Sequence, residues 1–351
     1  MSKAEKIKNF DPNGVGLDNG HFIGLPFVEE EAEVILLPVP WDVTVSYTAG
    51  TATGPANILQ ASSQLDLYDP FVPDAWKTGI YMRPPNESWL KQSEALRPLA
   101  QAYIDFLEAG RNITDNKTMS DTLAKINTAC HQLKDWVYQR TSELLDQGKI
   151  VGLVGGEHSV PLGYLEALAE RYPGFGILQI DAHMDLREAY EGFIYSHASI
   201  FYNVLKLNGL GKLVQLGIRD YCEAEVGEVA KRADLVEVFF DHSMKAALYE
   251  GATFHSLCTA IVNMLPQEVY VSFDIDGLSP YLCPNTGTPV PGGLDFQQAI
   301  YLLQQLVDSG RTIIGFDVCE VGGLPHEWDG NVGARLLYRL ANLTGKSQGK
   351  I

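Results

Sequence analysis

Short apolar, β-branched runs alternate with amphipathic stretches along most of the chain. The runs predict strands over residues 33–39, 149–154, 174–180, 212–217, 235–240, 268–273 and 311–318. Continuous apolar tracts such as Val34-Ile35-Leu36-Leu37 suit strands buried on both faces. Between them, apolar residues recur at helical spacing over 96–107, 119–145, 161–171, 223–232, 254–264, 296–307 and 331–343. Strand–helix alternation of this kind predicts an α/β fold with a mostly parallel sheet. No internal repeat or linker divides it, so one large domain over 33–351 is expected. Residues 1–32 read as an irregular extension, and 69–95, rich in Pro, Asp and aromatic residues, as surface loop.

Three polar segments interrupt this pattern, each at the carboxyl end of a predicted strand. They are Gly155-Gly156-Glu157-His158-Ser159, Asp181-Ala182-His183-Met184-Asp185 and Asp274-Ile275-Asp276. Ligands of open parallel sheets collect beyond the carboxyl ends of strands, so all three converge on one crevice. Residues two apart leave an extended chain on the same face, which lets Asp181, His183 and Asp185 point together, and likewise Asp274 and Asp276. Four carboxylates crowded without cations repel one another. With His158 and His183 they form a donor set whose four negative charges neutralise two divalent ions. Oxygen-rich ligation with two imidazoles suits Mn2+ first, with Ni2+, Fe2+, Co2+ or Zn2+ also possible. Two such ions are expected about 3.5–4 Å apart, bridged by carboxylates. An isolated Asp-x-Asp at a strand end usually caps a helix; three such segments on three strand ends are much harder to obtain from packing.

Composition narrows the setting. The net charge of −18 opposes a nucleic-acid or anionic-membrane partner. No run of eighteen apolar residues and no signal-peptide pattern is visible, and five scattered cysteines form no CxxC. A cytoplasmic protein with free thiols is therefore expected.

The three segments, the last extended to Ser272-Phe273-Asp274-Ile275-Asp276-Gly277-Leu278-Ser279-Pro280, resemble the signatures of the ureohydrolases, the family of arginase, agmatinase, guanidinobutyrase and guanidinase. The resemblance runs from about residue 33 to 345. It implies a three-layer α/β/α sandwich, assembly into trimers or hexamers, and hydrolysis of a guanidino compound to urea. It also implies that His158, Asp181, Asp185 and Asp274 hold one metal, and His183, Asp181, Asp274 and Asp276 the second. By the same resemblance His197 is the proton shuttle, although Ala198 stands where Gly is common. Glu320 would pair with the guanidinium, and Asp185 would help protonate the leaving nitrogen.

The loop 186–196 lacks the Asn- and Ser-rich pattern of arginases and looks like the agmatinase branch. Trp328, eight residues after Glu320, is a candidate wall of the substrate pocket, which would favour a short substrate, even guanidine itself. Its structural alternative is packing beneath the next helix. Two other classes remain in play at this point. A silent scaffold should have lost metal ligands, and all six are present; a single-zinc deacetylase has no use for four converging aspartates.

Overall fold

The computed structural model describes all 351 residues. Eight strands are present: β1 (Val34–Val39), β2 (Ile80–Met82), β3 (Ile150–Gly155), β4 (Phe175–Ile180), β5 (Leu210–Ile218), β6 (Val236–Phe240), β7 (Glu268–Asp274) and β8 (Thr312–Cys319). The helices of the N-terminal half are α1 (Lys3–Asn9), α2 (Gly54–Ser62), α3 (Glu87–Glu108), α4 (Lys117–Asp146) and α5 (Leu162–Arg171). Those of the C-terminal half are α6 (Ile200–Val204), α7 (Glu223–Lys231), α8 (Asp241–Tyr249), α9 (Phe254–Asn263), α10 (Phe296–Asp308) and α11 (Glu327–Ser347).

All the strands are parallel and lie in the order β2-β1-β3-β8-β7-β4-β5-β6. Alternate residues of each strand serve opposite faces. On β1, Val34 and Leu36 join one core with residues of α2, α9, α10 and α11, whereas Ile35 and Leu37 join another with residues of α3, α4 and α5. Two apolar cores on either side of one sheet make the three-layer α/β/α sandwich. The four strands that end in site residues, β3, β8, β7 and β4, are contiguous at the sheet centre.

Seven of the strands coincide with the apolar runs to within two residues at either end. β2 lies inside 69–95, where three strand residues between a 3-10 turn and Pro84-Pro85 leave too short a period to read. Helix α3 likewise begins inside that segment; Asn86 caps it by accepting from the amides of Ser88 and Trp89, and it runs through Pro98. The extension is less irregular than expected. A capping box between Ser2 and Glu5 starts α1, Lys6 pairs with Glu31 at 2.6 Å, and Phe22, Ile23, Leu25 and Phe27 are buried in the first core. Helices α2, α6 and α8 were not apparent from periodicity; each has nine residues or fewer.

Candidate metal centre and cleft

The turn after β3 brings the first imidazole into place. Gly156 passes so close to the chain after β1 that a Cβ would collide with the Trp41 carbonyl, and the Glu157 amide donates to that same oxygen at 2.8 Å. His158 is thereby turned back over the sheet. Its Nδ1 lies 3.0 Å from Asp181 Oδ2, 3.2 Å from Asp185 Oδ2 and 3.3 Å from Asp274 Oδ2. His183 Nδ1 lies 3.1 Å from Asp276 Oδ2 and 3.6 Å from Asp181 Oδ1. Asp181 thus offers one oxygen to each imidazole, as a carboxylate shared between two sites must. Gln179 Nε2 and the His183 amide, at 2.8 and 2.6 Å, fix its two oxygens. Gly277 permits this approach, since a Cβ there would meet the Asp181 amide.

The electrostatics fit a site for a cation. Burial and the Asp181 charge push the Asp185 carboxyl up to about 7. Burial, followed by Asp276, Asp181 and Glu320, holds the Asp274 carboxyl well above the usual range. Burial disfavours a charge on His158, but hydrogen bonding with Asp181 and Asp185 overrides it and raises the imidazole well above its ordinary value. His183 follows the same course under the charge of Asp276. His158 Nδ1 is buried and crowded by the three carboxylate oxygens, none of them well aligned with it, while Nε2 is engaged with Ser272 Oγ at 2.9 Å. Three carboxylate oxygens around one imidazole nitrogen call for a proton or a cation between them, and two donor groups, His158/Asp181/Asp185 and the partly exposed Asp181/His183/Asp276, are close enough to hold one ion each.

Behind His158 stands a chain that carries no role in the sequence reading. Ser272 Oγ donates to Asp317 Oδ2 at 2.7 Å, and the β7–β8 register sets Ser272 beside Asp317. An outer carboxylate of this kind fixes the ring orientation and increases the basicity of the ligating nitrogen. A signal was present: Asp317 interrupts the apolar run Ile313-Ile314-Gly315-Phe316, and Ser272 shares a strand face with Asp274.

A cleft of about 190 Å³ opens over the cluster, lined by Ser46, His183, Asp185, Arg187, His197 and Thr288 among others. Glu320 Oε1 accepts the His158 amide at 2.9 Å, while Oε2 is buried and without a partner. A Cβ at Gly287 would stand 3.1 Å from that oxygen, so the glycine leaves room beside it. Burial and the neighbouring Glu157 raise the Glu320 carboxyl well above its usual range. Glu320 and Asp185 both adopt positive φ, 61° and 55°, a strained backbone that clusters at functional sites. Burial, then the charge of His183, lowers His197 to about 3.

Eight of the nine candidate residues are therefore brought together. Trp328 is not. The residue is 53% exposed, and its Nε1 donates to the Tyr281 carbonyl at 3.0 Å. After Glu320 the chain leaves through Gly322-Gly323-Leu324-Pro325 before α11 begins, which carries the indole to the outer surface. Trp328 is thus an exposed surface residue and not the pocket wall that its sequence position suggested. The five cysteines are all unpaired.

This constellation matches known proteins. The family model described as the arginase family covers residues 32–341. The N(1)-aminopropylagmatine ureohydrolase of Thermus thermophilus is 30% identical over 91% of this chain and 93% of that protein. The agmatinase of Bacillus anthracis is 30% identical over 83% and 84%. Among solved structures, agmatine ureohydrolase of Thermoplasma volcanium superposes with a TM-score of 0.71 at 22% identity, covering 99% of both chains. Arginase from Bacillus cereus gives 0.63 at 20% identity over 89% and 98%. The chain belongs to the arginase family. It is a ureohydrolase, cleaving a C–N bond of a guanidino compound. No helix is long and apolar enough to cross a membrane.

Proposed function

We propose that the enzyme hydrolyses a short guanidino compound, with agmatine as the first candidate and free guanidine as the second, using two divalent cations held by the six residues. The observation that carries this reading is the buried, unpartnered Glu320 Oε2 beside Gly287. A guanidinium is a planar fork of N–H donors that satisfies such an oxygen by charge-assisted hydrogen bonds. A cleft of about 190 Å³ is small for a ligand pocket, which favours a short tail. Guanidine is favoured by that size; agmatine is favoured by Asp220, whose exposed carboxylate stands at the cleft edge where an ammonium tail would emerge. The relatives named for agmatine and aminopropylagmatine support an amine tail over a carboxylate tail.

His158, Asp181, Asp185 and Asp274 would hold one cation, and His183, Asp181, Asp274 and Asp276 the other, with Mn2+ the best match and Ni2+ the alternative. When bound, the pair supplies Lewis acidity and lowers the pKa of attached water. Glu320 orients the guanidinium with its carbon over the cluster. Asp185, at the cleft floor, hydrogen-bonds the amino group that becomes the leaving nitrogen. His197, further out, exchanges protons with solvent. All six proposed ligands come from one chain; the family resemblance nevertheless supports a homo-oligomer, a trimer or hexamer, and the unpaired cysteines support a reducing, cytoplasmic setting. Urea release from agmatine, guanidine, guanidinobutyrate and arginine, with Mn2+ and Ni2+ reconstitution compared, tests the reading. Arginine as the preferred substrate would overturn it.

A further inference from the structure

His197 owes its setting to two buried residues outside the metal cluster's ligands, Thr44 and Glu157. Glu157 is fully buried and receives three donors: the Thr44 amide at 2.7 Å on Oε2, and the hydroxyls of Thr44 and Ser159 at 2.8 and 2.5 Å on Oε1. Burial pushes the Glu157 carboxyl up to about 7, against these three donors, which favour the ionised form that accepts from all of them. The hydroxyl hydrogen of Thr44 is thereby committed, and its oxygen meets His197 with lone pairs only. The His197 amide donates to that oxygen at 3.2 Å, and His197 Nδ1 stands 3.4 Å from it. The backbone around Thr44 is held independently, since Arg97 Nη1 donates to the carbonyls of Val43 and Val45 at 2.9 and 2.6 Å. The Thr44 side chain is therefore not needed to keep its own loop in place.

We propose that Glu157 and Thr44 are positioning residues that select the tautomer of His197. With an acceptor opposite Nδ1, the neutral imidazole carries its hydrogen there and keeps the lone pair on Nε2, the nitrogen then free to take up a proton. Reversing the polarity of Thr44 Oγ1 inverts the ring. The inference rests on the reading of His197 as the proton carrier and adds what fixes its working state.

The test uses the full-length enzyme loaded with Mn2+, assayed on agmatine and on guanidine. Thr44→Val should lower kcat about tenfold or more with KM and metal content unchanged, and Thr44→Ser should restore kcat to within about twofold. Glu157→Gln places an amide N–H against Thr44 Oγ1 and should lower kcat similarly; it serves as the comparison if Thr44→Val fails to fold. In a His197→Asn background, neither substitution should lower kcat further, since the residue they act through is gone. Equal losses on both backgrounds would assign them a structural role and overturn the proposal. Full kcat in Thr44→Val and in Glu157→Gln, with loss in His197→Asn, would overturn it while leaving the shuttle intact. Full kcat in His197→Asn would remove the shuttle reading and the proposal with it.

Discussion

Replacing Asp274 by Asn should change metal affinity and metal-free stability in opposite directions. Asn preserves the local fold, because the Asp274 side chain caps the following turn by accepting the Asp276 amide at 2.8 Å, which an amide oxygen also does. What is lost is one charge. Two unit charges about 4 Å apart at an effective dielectric of about 20 interact by about 4 kcal/mol, and a divalent ion doubles the attraction. Even the smaller figure weakens binding about 1,000-fold. Without metal the same charge is a liability, since burial and the carboxylates of Asp276, Asp181 and Glu320 all oppose it. The metal-stripped variant should therefore melt above metal-stripped wild type at pH 8, while competition against a fluorescent chelator shows the affinity loss. Unchanged affinity, or a lower melting temperature of the stripped variant, would refute the placement of Asp274 in a cation site.

Three further outcomes follow from the same geometry. The carboxyls of Asp185 and Asp274 and the imidazoles of His158 and His183 all titrate above their ordinary values. The folded metal-free protein then holds more protons than the unfolded chain above about pH 4. Its melting temperature should fall from pH 5 to pH 8, a slope that saturating metal removes and that a flat metal-free profile would contradict. Asp317→Asn, which weakens the support of His158 through Ser272, should lower metal affinity about 10- to 100-fold in a chelator competition, with the fold retained by circular dichroism. Glu320→Gln should keep both ions while kcat/KM for the guanidino substrate collapses; loss of metal with KM unchanged would make Glu320 a ligand instead.

The parallel sheet was legible because strands buried on both faces are long apolar runs, and because each site segment ends such a run. β2 and the first turns of α3 were not, since three residues before a proline pair carry no period and the helix opens on polar residues set by a cap. Five candidate ligands, Asp181, His183, Asp185, Asp274 and Asp276, were readable from their i, i+2 and i+4 spacing, although the chain is not extended throughout, since Asp276 lies in a 3-10 turn and Asp185 has a positive φ. Trp328 shows the opposite case: proximity in sequence to Glu320 says little once a glycine-rich turn intervenes. Ser272, Asp317, Thr44 and Glu157 act through contacts between residues 45 to 153 apart in sequence, which only the sheet order and register bring together.

Two cations held by the six proposed ligands would supply the Lewis acidity that hydrolysis of a guanidinium needs. Metal-stripped enzyme titrated with Mn2+ under stoichiometric conditions, with urea release from agmatine and guanidine measured at each point, tests it directly. Urea formation should be absent at the start and rise until two equivalents per chain are bound. A plateau at one equivalent, or full urea release from the stripped enzyme, would contradict the account.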